Sequence, residues 1–367
     1  MTDHILVVGA SGVLGSAMVE ALAQRPDTTV HAVSRRRPDV DATFEFHSVD
    51  LEDRAACALA VASMPRISHA IYAAVTEADG LVAGWHDQAM MQRNLAMLSN
   101  ILQPVTVDRG FRHLIVMQGT KAYGAHVHPV PIPARESDPR DDHENFYWLQ
   151  EDWVRQHAAN GKWGWTIFRP QVVFGGATGV VMNPVVPIGL IAAIAATEGK
   201  AFAYPGRHAG IHEAIDARLV ARACQWAFDA PGAHNEIYNI TNGDVWVLRD
   251  AWPRLAARLG LVASFDEPYD VVEWLRSKEA VWEAIVVRHG LRPSTLAELL
   301  GQSHHYLKLL AAGDAAPTPP ALVSTIKIRQ AGFHGCIDSF DSLIHWLRDL
   351  INRRILPPLG TLTPDIR

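Results

Sequence analysis

Cysteine is scarce in this chain: Cys57, Cys224 and Cys336 are the only three among 367 residues, and they lie far apart. No short metal-type cysteine spacing exists, and a reduced, cytoplasmic setting is expected. Basic charge is not in excess either. With 33 Lys and Arg against 39 Asp and Glu, the net charge is -6, so no global basic field draws nucleic acid or an anionic membrane. Long apolar runs are also missing. The most apolar stretch, 180–196, contains Asn183, Pro184, Pro187 and Gly189; it is too short and interrupted to span a bilayer and reads as a loop feeding a buried helix. Residues 2–4 are polar or charged before a short apolar run, so no signal peptide is expected. What remains is a globular chain, 49% hydrophobic and 20% charged, sized for one large domain or two merged ones.

Glycine stands at the centre of what is present. The apolar run Ile5-Leu6-Val7-Val8 leads into Gly9-Ala10-Ser11-Gly12-Val13-Leu14-Gly15, and a helical pattern follows from about Ser16 to Gln24. A buried strand that turns through closely spaced glycines into a helix fits a dinucleotide pyrophosphate. The glycines permit a tight turn and close approach, and the helix N-terminus presents N–H donors. Gly9, Ser11, Gly12, Val13, Leu14 and Gly15 form this expected cradle.

The next strand, Thr28–Ser34, ends in Arg35-Arg36-Arg37, with no acid before Asp39. An acidic residue there suits a ribose 2′-hydroxyl, whereas arginine accommodates a 2′-phosphate, so Ser34, Arg35 and Arg36 favour NADPH over NADH. Asp50 and Leu51, after a strand at 44–49, are candidates for the adenine. Ala73 and Ala74 end a strand starting at His69 and are small enough to admit the cofactor's ribose. A helix over 85–103 carries Met90, Met91 and Met97 as packing residues. A further strand, His113–Met117, brings Gln118, Thr120 and Lys121 to the cofactor side, and Asn145 caps a helix beginning Phe146-Tyr147-Trp148. The strand at 165–173 breaks at Pro170, which with Val172 and Val173 is assigned to the cofactor.

Alternating strands and helices imply an α/β fold, a Rossmann-type doubly wound parallel sheet with a smaller, mostly helical substrate-binding lobe. The expected division is 1–175 for the NADP-binding domain and 176–360 for an interleaved lobe, with a return to the sheet near 202–242 and a tail at 361–367. Pro317, Pro319 and Pro320 mark a loop, and residues 265–320 are left for a cap or a homodimer surface. His126-x-His128, Asp141-Asp142-His143-Glu144 and His304-His305 read as solvated segments, with no metal site expected.

The glycine spacing, Tyr123-Gly124, Arg169-Pro170, Asp216 and Tyr238-Asn239 resemble an extended short-chain dehydrogenase/reductase. That superfamily places a lysine four residues after a helix tyrosine, on one helix face. Here Tyr147 is followed at that spacing by Glu151, a like charge that disfavours a phenolate. The only lysine before Tyr147 is Lys121, one of six in the chain. On spacing alone, a displaced catalytic cation and a plain loop charge fit Lys121 equally.

The run Gly-Thr-Lys-x-Tyr-Gly at 119–124, Asn145-Phe146-Tyr147 with Glu151-Asp152, Ser34-Arg35-Arg36, Met182-Asn183 and the Lys327…Gly332-Phe333…Trp346 segment narrow the likeness. They resemble the progesterone 5β-reductase/iridoid synthase family from residue 5 to about Pro357. The resemblance implies NADPH-dependent reduction of a carbon–carbon double bond conjugated to a carbonyl in an enone or enal. It also makes Lys121 and Tyr147 the catalytic pair, with Thr120, Phe146, Met182 and Asn183 at the substrate pocket. The alternatives are a carbonyl reductase, alcohol dehydrogenase or sugar-nucleotide epimerase of the broader superfamily, and a non-catalytic NADPH-binding regulator.

Overall fold

The computed structural model describes residues 2–79, 81–207, 209–311 and 320–362. Pro317 and Pro319 of the expected loop and residues 363–367 of the expected tail lie outside the described residues. Among the described residues, no helix is long and apolar enough to cross a membrane.

The first half of the chain alternates as its apolar runs predict. β1 (Asp3–Val8), α1 (Val13–Ala23), β2 (Thr28–Ser34), β3 (Glu45–Ser48), α2 (Arg54–Ala62), β4 (His69–Tyr72), α3 (Gln88–Thr106), β5 (His113–Met117), α4 (Phe146–Gly161) and β6 (Gly164–Pro170) follow in order. β4 and β5 are buried along their whole length, as strands covered by helices on both faces must be. Asp53 and Asp87 cap α2 and α3, each accepting two first-turn N–H groups through its side chain.

Beyond Pro170, β7 (Val172–Phe174) leaves the main sheet and pairs in parallel with a short strand at Ala214–Asp216. The expected break at Pro170 thus divides the 165–173 stretch into two strands, because proline has no N–H to carry the ladder past that point. α5 (Val185–Glu198) is buried from Val185 to Ala195. Its all-round apolarity follows from its neighbours: the helices Glu279–His289, Leu296–Leu300 and Ser303–Leu310 pack on it, as does Ser339–Asn352. His304, read from sequence as solvated, is a buried residue of one of these helices.

The main sheet has seven parallel strands, in the order Glu236–Ile240, β6, β5, β4, β1, β2, β3. The strand order reverses between β1 and β4, and that crevice is where open parallel sheets bind ligands. Two compact units make up the chain. One holds Met1–Gln171, Ala217–Thr241 and Ala321–Cys336, and the other Val172–Asp216, Asn242–Pro320 and Ile337–Arg367. The chain thus crosses between units more often than one return near 202–242 requires.

Candidate active site

At the β1–β4 crevice, the three glycines meet three different demands. Gly9 has φ +81°, and a Cβ there would sit 2.6–2.8 Å from main-chain atoms of Ala73 and Ala74. A Cβ on Gly15 would lie 2.1 Å from the Gly9 carbonyl oxygen. Gly12 is the N-cap of α1 and supplies no side-chain acceptor, so the first-turn N–H groups keep their capacity for an anion. Ala73 and Ala74 are therefore the surface on which the glycine turn itself rests.

The adenosine side is more mixed. Ser34 Oγ donates to the Arg36 carbonyl at 2.6 Å, shaping the turn that carries the arginines. Arg35, Arg36 and Arg37 are all exposed at the end of β2, and Arg37 lies over the Phe44 ring at 4.6 Å. Asp50 accepts the Glu52 N–H through Oδ1 at 3.0 Å, a turn role. The Leu51 side chain belongs to the core, so only its main chain is available to a ligand.

The β5–α4 edge brings the expected catalytic residues together. Lys121 sits in a 3₁₀ turn, Thr120–Tyr123, directly after β5. Asn145 joins this turn to α4: its Oδ1 accepts the Tyr147 N–H at 3.0 Å, and its Nδ2 donates to the Lys121 carbonyl at 2.6 Å. Gln118 adds a second tie, Nε2 donating to the Tyr147 carbonyl at 3.1 Å. The Tyr147 hydroxyl reaches the end of β5, 3.4 Å from where a Cβ on Gly119 would stand.

Lys121 is partly buried, its side chain 13% exposed. Its Nζ donates to Glu77 Oε1 at 2.8 Å and lies 4.6 Å from the centre of the Trp85 ring and 5.7 Å from that of Phe146. Burial holds its pKa below the ordinary lysine value, and the Glu77 carboxylate opposes that shift. Glu77 was not legible from the motif. It is placed by Asn94, fully buried in α3, whose side chain accepts the Thr76 N–H and donates to the Thr76 carbonyl, both at 3.0 Å. A polar residue on the apolar stripe of Met91, Leu98 and Ile101 was the available signal.

Glu151 requires a correction. Spacing makes it a lone like-charge neighbour of Tyr147, but its carboxylate meets Arg155 at 2.9 Å, Arg140 at 3.0 Å and Arg169 at 3.5 Å. Three guanidiniums neutralise it. Arg169, buried, passes the connection on by donating to Gln118 Oε1 at 3.2 Å. Glu151 thus anchors the ends of β5 and β6 to α4 instead of facing the phenol.

The histidine-rich loop is corrected in part: His128, Asp142 and Glu144 are exposed as expected, whereas His126 and His143 are partly buried. His126 packs on His86, Trp85 and His143, with ring centres 5.6, 5.9 and 5.1 Å away. Asp141 accepts from both His128 and His143 at 2.7 Å. Burial, reinforced by His143 and Lys121, lowers the His126 pKa to about 4. The loop is a wall beside Lys121. Among the described residues, no group of three or more His, Cys, Asp or Glu side chains is set to hold a metal ion.

Of the other expected positions, Pro170 ends β6, Thr120 opens the 3₁₀ turn, and the Phe146 ring is tilted against that of Tyr147 with centres 4.4 Å apart. Val172 and Val173 lie on β7 in the second unit, where Met182 is half-buried. Asn183, expected at a pocket rim, is fully buried there. Its Nδ2 donates to the carbonyls of Gly175 and Ala177, and its Oδ1 accepts the Val185 N–H. The side chain closes the loop before α5 and is not presented to a substrate.

Residues 5–241 match the model of the NAD dependent epimerase/dehydratase family. The chain is 28% identical over 375 residues to (S)-8-oxocitronellyl enol synthase of Catharanthus roseus, covering 96% of this chain and 92% of that protein. It is 27% identical over 374 residues to 3-oxo-Delta(4,5)-steroid 5-beta-reductase of Arabidopsis thaliana, with 96% and 92% covered. Among solved structures, UDP-glucose 4-epimerase of Thermotoga maritima superposes with a TM-score of 0.66 at 16% identity, covering 94% of this chain and 99% of that one.

Proposed function

The chain belongs to the NAD dependent epimerase/dehydratase family, and we propose that this enzyme is an NADPH-dependent reductase of activated alkenes, acting on an enone or enal by 1,4-addition. The observation that carries the reading is a partly buried, ion-paired Lys121 whose main-chain carbonyl is tied through Asn145 to the Tyr147 N–H, while the usual lysine position is Glu151 held by arginines. The two relatives, an enol synthase and a steroid 5-beta-reductase by name, support the same chemistry.

The glycine turn fits the cofactor's diphosphate, because Gly12 leaves the α1 N-terminus uncapped and Gly9 and Gly15 leave no side chain in the way. Arg35 and Arg36 are the groups for a 2′-phosphate. When bound, the dihydronicotinamide supplies hydride. The chain's own work is on the substrate. Reduction at the β-carbon leaves negative charge on the carbonyl oxygen, and Tyr147 Oη–H donates a hydrogen bond where that charge appears. Lys121 adds a fixed positive charge in a site sheltered from water, where electrostatic stabilisation is strongest. The α-carbon then takes its proton from water. Simple carbonyl reduction instead needs a proton relay to an alkoxide, and no lysine stands four residues after Tyr147 to supply it.

Tyr147→Phe and Lys121→Ala test the assignment. Each is expected to lower kcat for enone reduction by roughly 10²–10³, the usual loss for one oxyanion donor, with NADPH binding retained. Full activity in both variants contradicts it.

A further inference from the structure

Lys121 presents a physical problem that the proposed reaction does not by itself resolve. Partial burial lowers the pKa of this lysine, since desolvation disfavours the charged form, yet the role given it above requires the cation. The groups around it decide the outcome. From the loop after β4, Glu77 faces it with a side chain only 2% exposed and an oxygen 2.8 Å from Nζ. From the short helical turn Val82–His86, the Trp85 face lies 4.6 Å away, and from α4 the Phe146 ring lies 5.7 Å away. From the loop after the 3₁₀ turn comes His126, which is neutral at ordinary pH because burial lowers its pKa to about 4. Behind His126 stand His86, His143 and Asp141, the last accepting from His143. Of these groups, Glu77 is the one anion in direct contact with Nζ.

Resting on the assignment of Lys121 to the reaction, we infer that Glu77 is a positioning residue that keeps Lys121 protonated and aimed, with the Trp85 face completing the cage. The carboxylate sets the upper pH limit of the enzyme. Asn94 sets the carboxylate, because it clamps the Thr76 main chain on both sides of that peptide. Removing the negative charge leaves an ammonium with aromatic faces and no counter-ion, and such a group deprotonates at lower pH.

The experiment uses the full chain with ¹⁵N-labelled lysine, so that the six Nζ signals are followed across pH and that of Lys121 is identified by its loss in Lys121→Met. In Glu77→Gln, the Lys121 midpoint is expected to fall by about 1–3 pH units, the usual effect of losing an adjacent opposite charge. The alkaline limb of kcat for enone reduction should fall with it, while the Kd for NADPH stays within threefold. Glu77→Asp keeps a carboxylate and should hold the midpoint within one unit of wild type. An unchanged Nζ midpoint and alkaline limb in Glu77→Gln overturn the inference. If Glu77→Gln does not fold, a wild-type Lys121 already deprotonated at pH 7 overturns it, and one protonated above pH 8 supports it. Should Lys121→Met itself retain full enone activity, the catalytic reading fails instead, and the Nζ titration still judges the Glu77 contact.

Discussion

At the β1–α1 turn the site is shaped by side chains that are missing, whereas at the β5–α4 edge it is shaped by charges that are buried. Gly9, Gly12 and Gly15 act through sterics: two Cβ atoms would collide with main chain, and the third position leaves a helix end open. Glu77 and Glu151 act through electrostatics. Each is a buried carboxylate, one holding Lys121 and the other gathering Arg140, Arg155 and Arg169. Damage to the first end is therefore expected to be independent of pH, and damage to the second to depend on it. In the proposed function the first end holds the cofactor and the second acts on the substrate.

Acid should break that contrast, with the largest effect. His31 sits across β1, β2 and β3 between His4 and His47, its ring nitrogens 3.1 and 3.2 Å from theirs. Burial first, then His47 and His4, lowers its pKa to about 4, and His126 at the other end is lowered to the same value. His69 and His113 behave alike, reaching about 4 and about 3. The unfolded chain binds protons to these groups from pH 6.5 downward and the folded chain does not, so stability falls as pH drops from 6.5 toward 4. Chemical denaturation across that range should show the unfolding free energy rising with pH. A flat profile contradicts the burial of these rings.

Glu151→Ala separates the ends. It strands three guanidiniums, of which Arg169 is buried while Arg140 and Arg155 are about half exposed. A loss near the lower end of the range for broken buried pairs, about 3 kcal/mol, is expected in denaturant unfolding. Gly15→Ala should cost about 1–3 kcal/mol by overpacking and weaken NADPH binding, with no change in the pH profile of whatever activity remains. Smallest is the effect of Arg35→Ala or Arg36→Ala. Each is expected to reduce the preference for NADPH over NADH by on the order of tenfold, the equivalent of one charge-assisted hydrogen bond, without altering stability. An unchanged cofactor ratio in both would return the pair to the status of a solvated turn.

The difference between the two ends also explains what could be read in advance. Gly9 to Gly15 announce themselves because the steric demand is local: the residues that collide are separated by six positions or lie just past the end of the adjoining strand. β2 and β5 begin and end where their apolar runs do, and Asn145 caps α4 as its type and place imply. Lys121 and Tyr147 could be paired by resemblance, but their surroundings could not. Glu77 precedes Lys121 by 44 residues, and nothing in Thr76-Glu77-Ala78 marks a counter-ion; only Asn94, polar on an apolar face, hints that this loop is held. Glu151 was read as a naked charge because Arg169 and Arg140 approach it from other segments of the chain. Asn183 was misread because burial is a tertiary property, and a buried amide whose hydrogen bonds are met looks in sequence like one facing water.

The most direct test of the account follows the reducing equivalent. NADPH carrying deuterium at the transferable position of its nicotinamide is supplied with a cyclic enone of the 2-cyclohexenone type, and the product is identified. Conjugate reduction by the Lys121–Tyr147 edge predicts a saturated ketone with deuterium on the β-carbon. An allylic alcohol with deuterium on the carbinol carbon contradicts it.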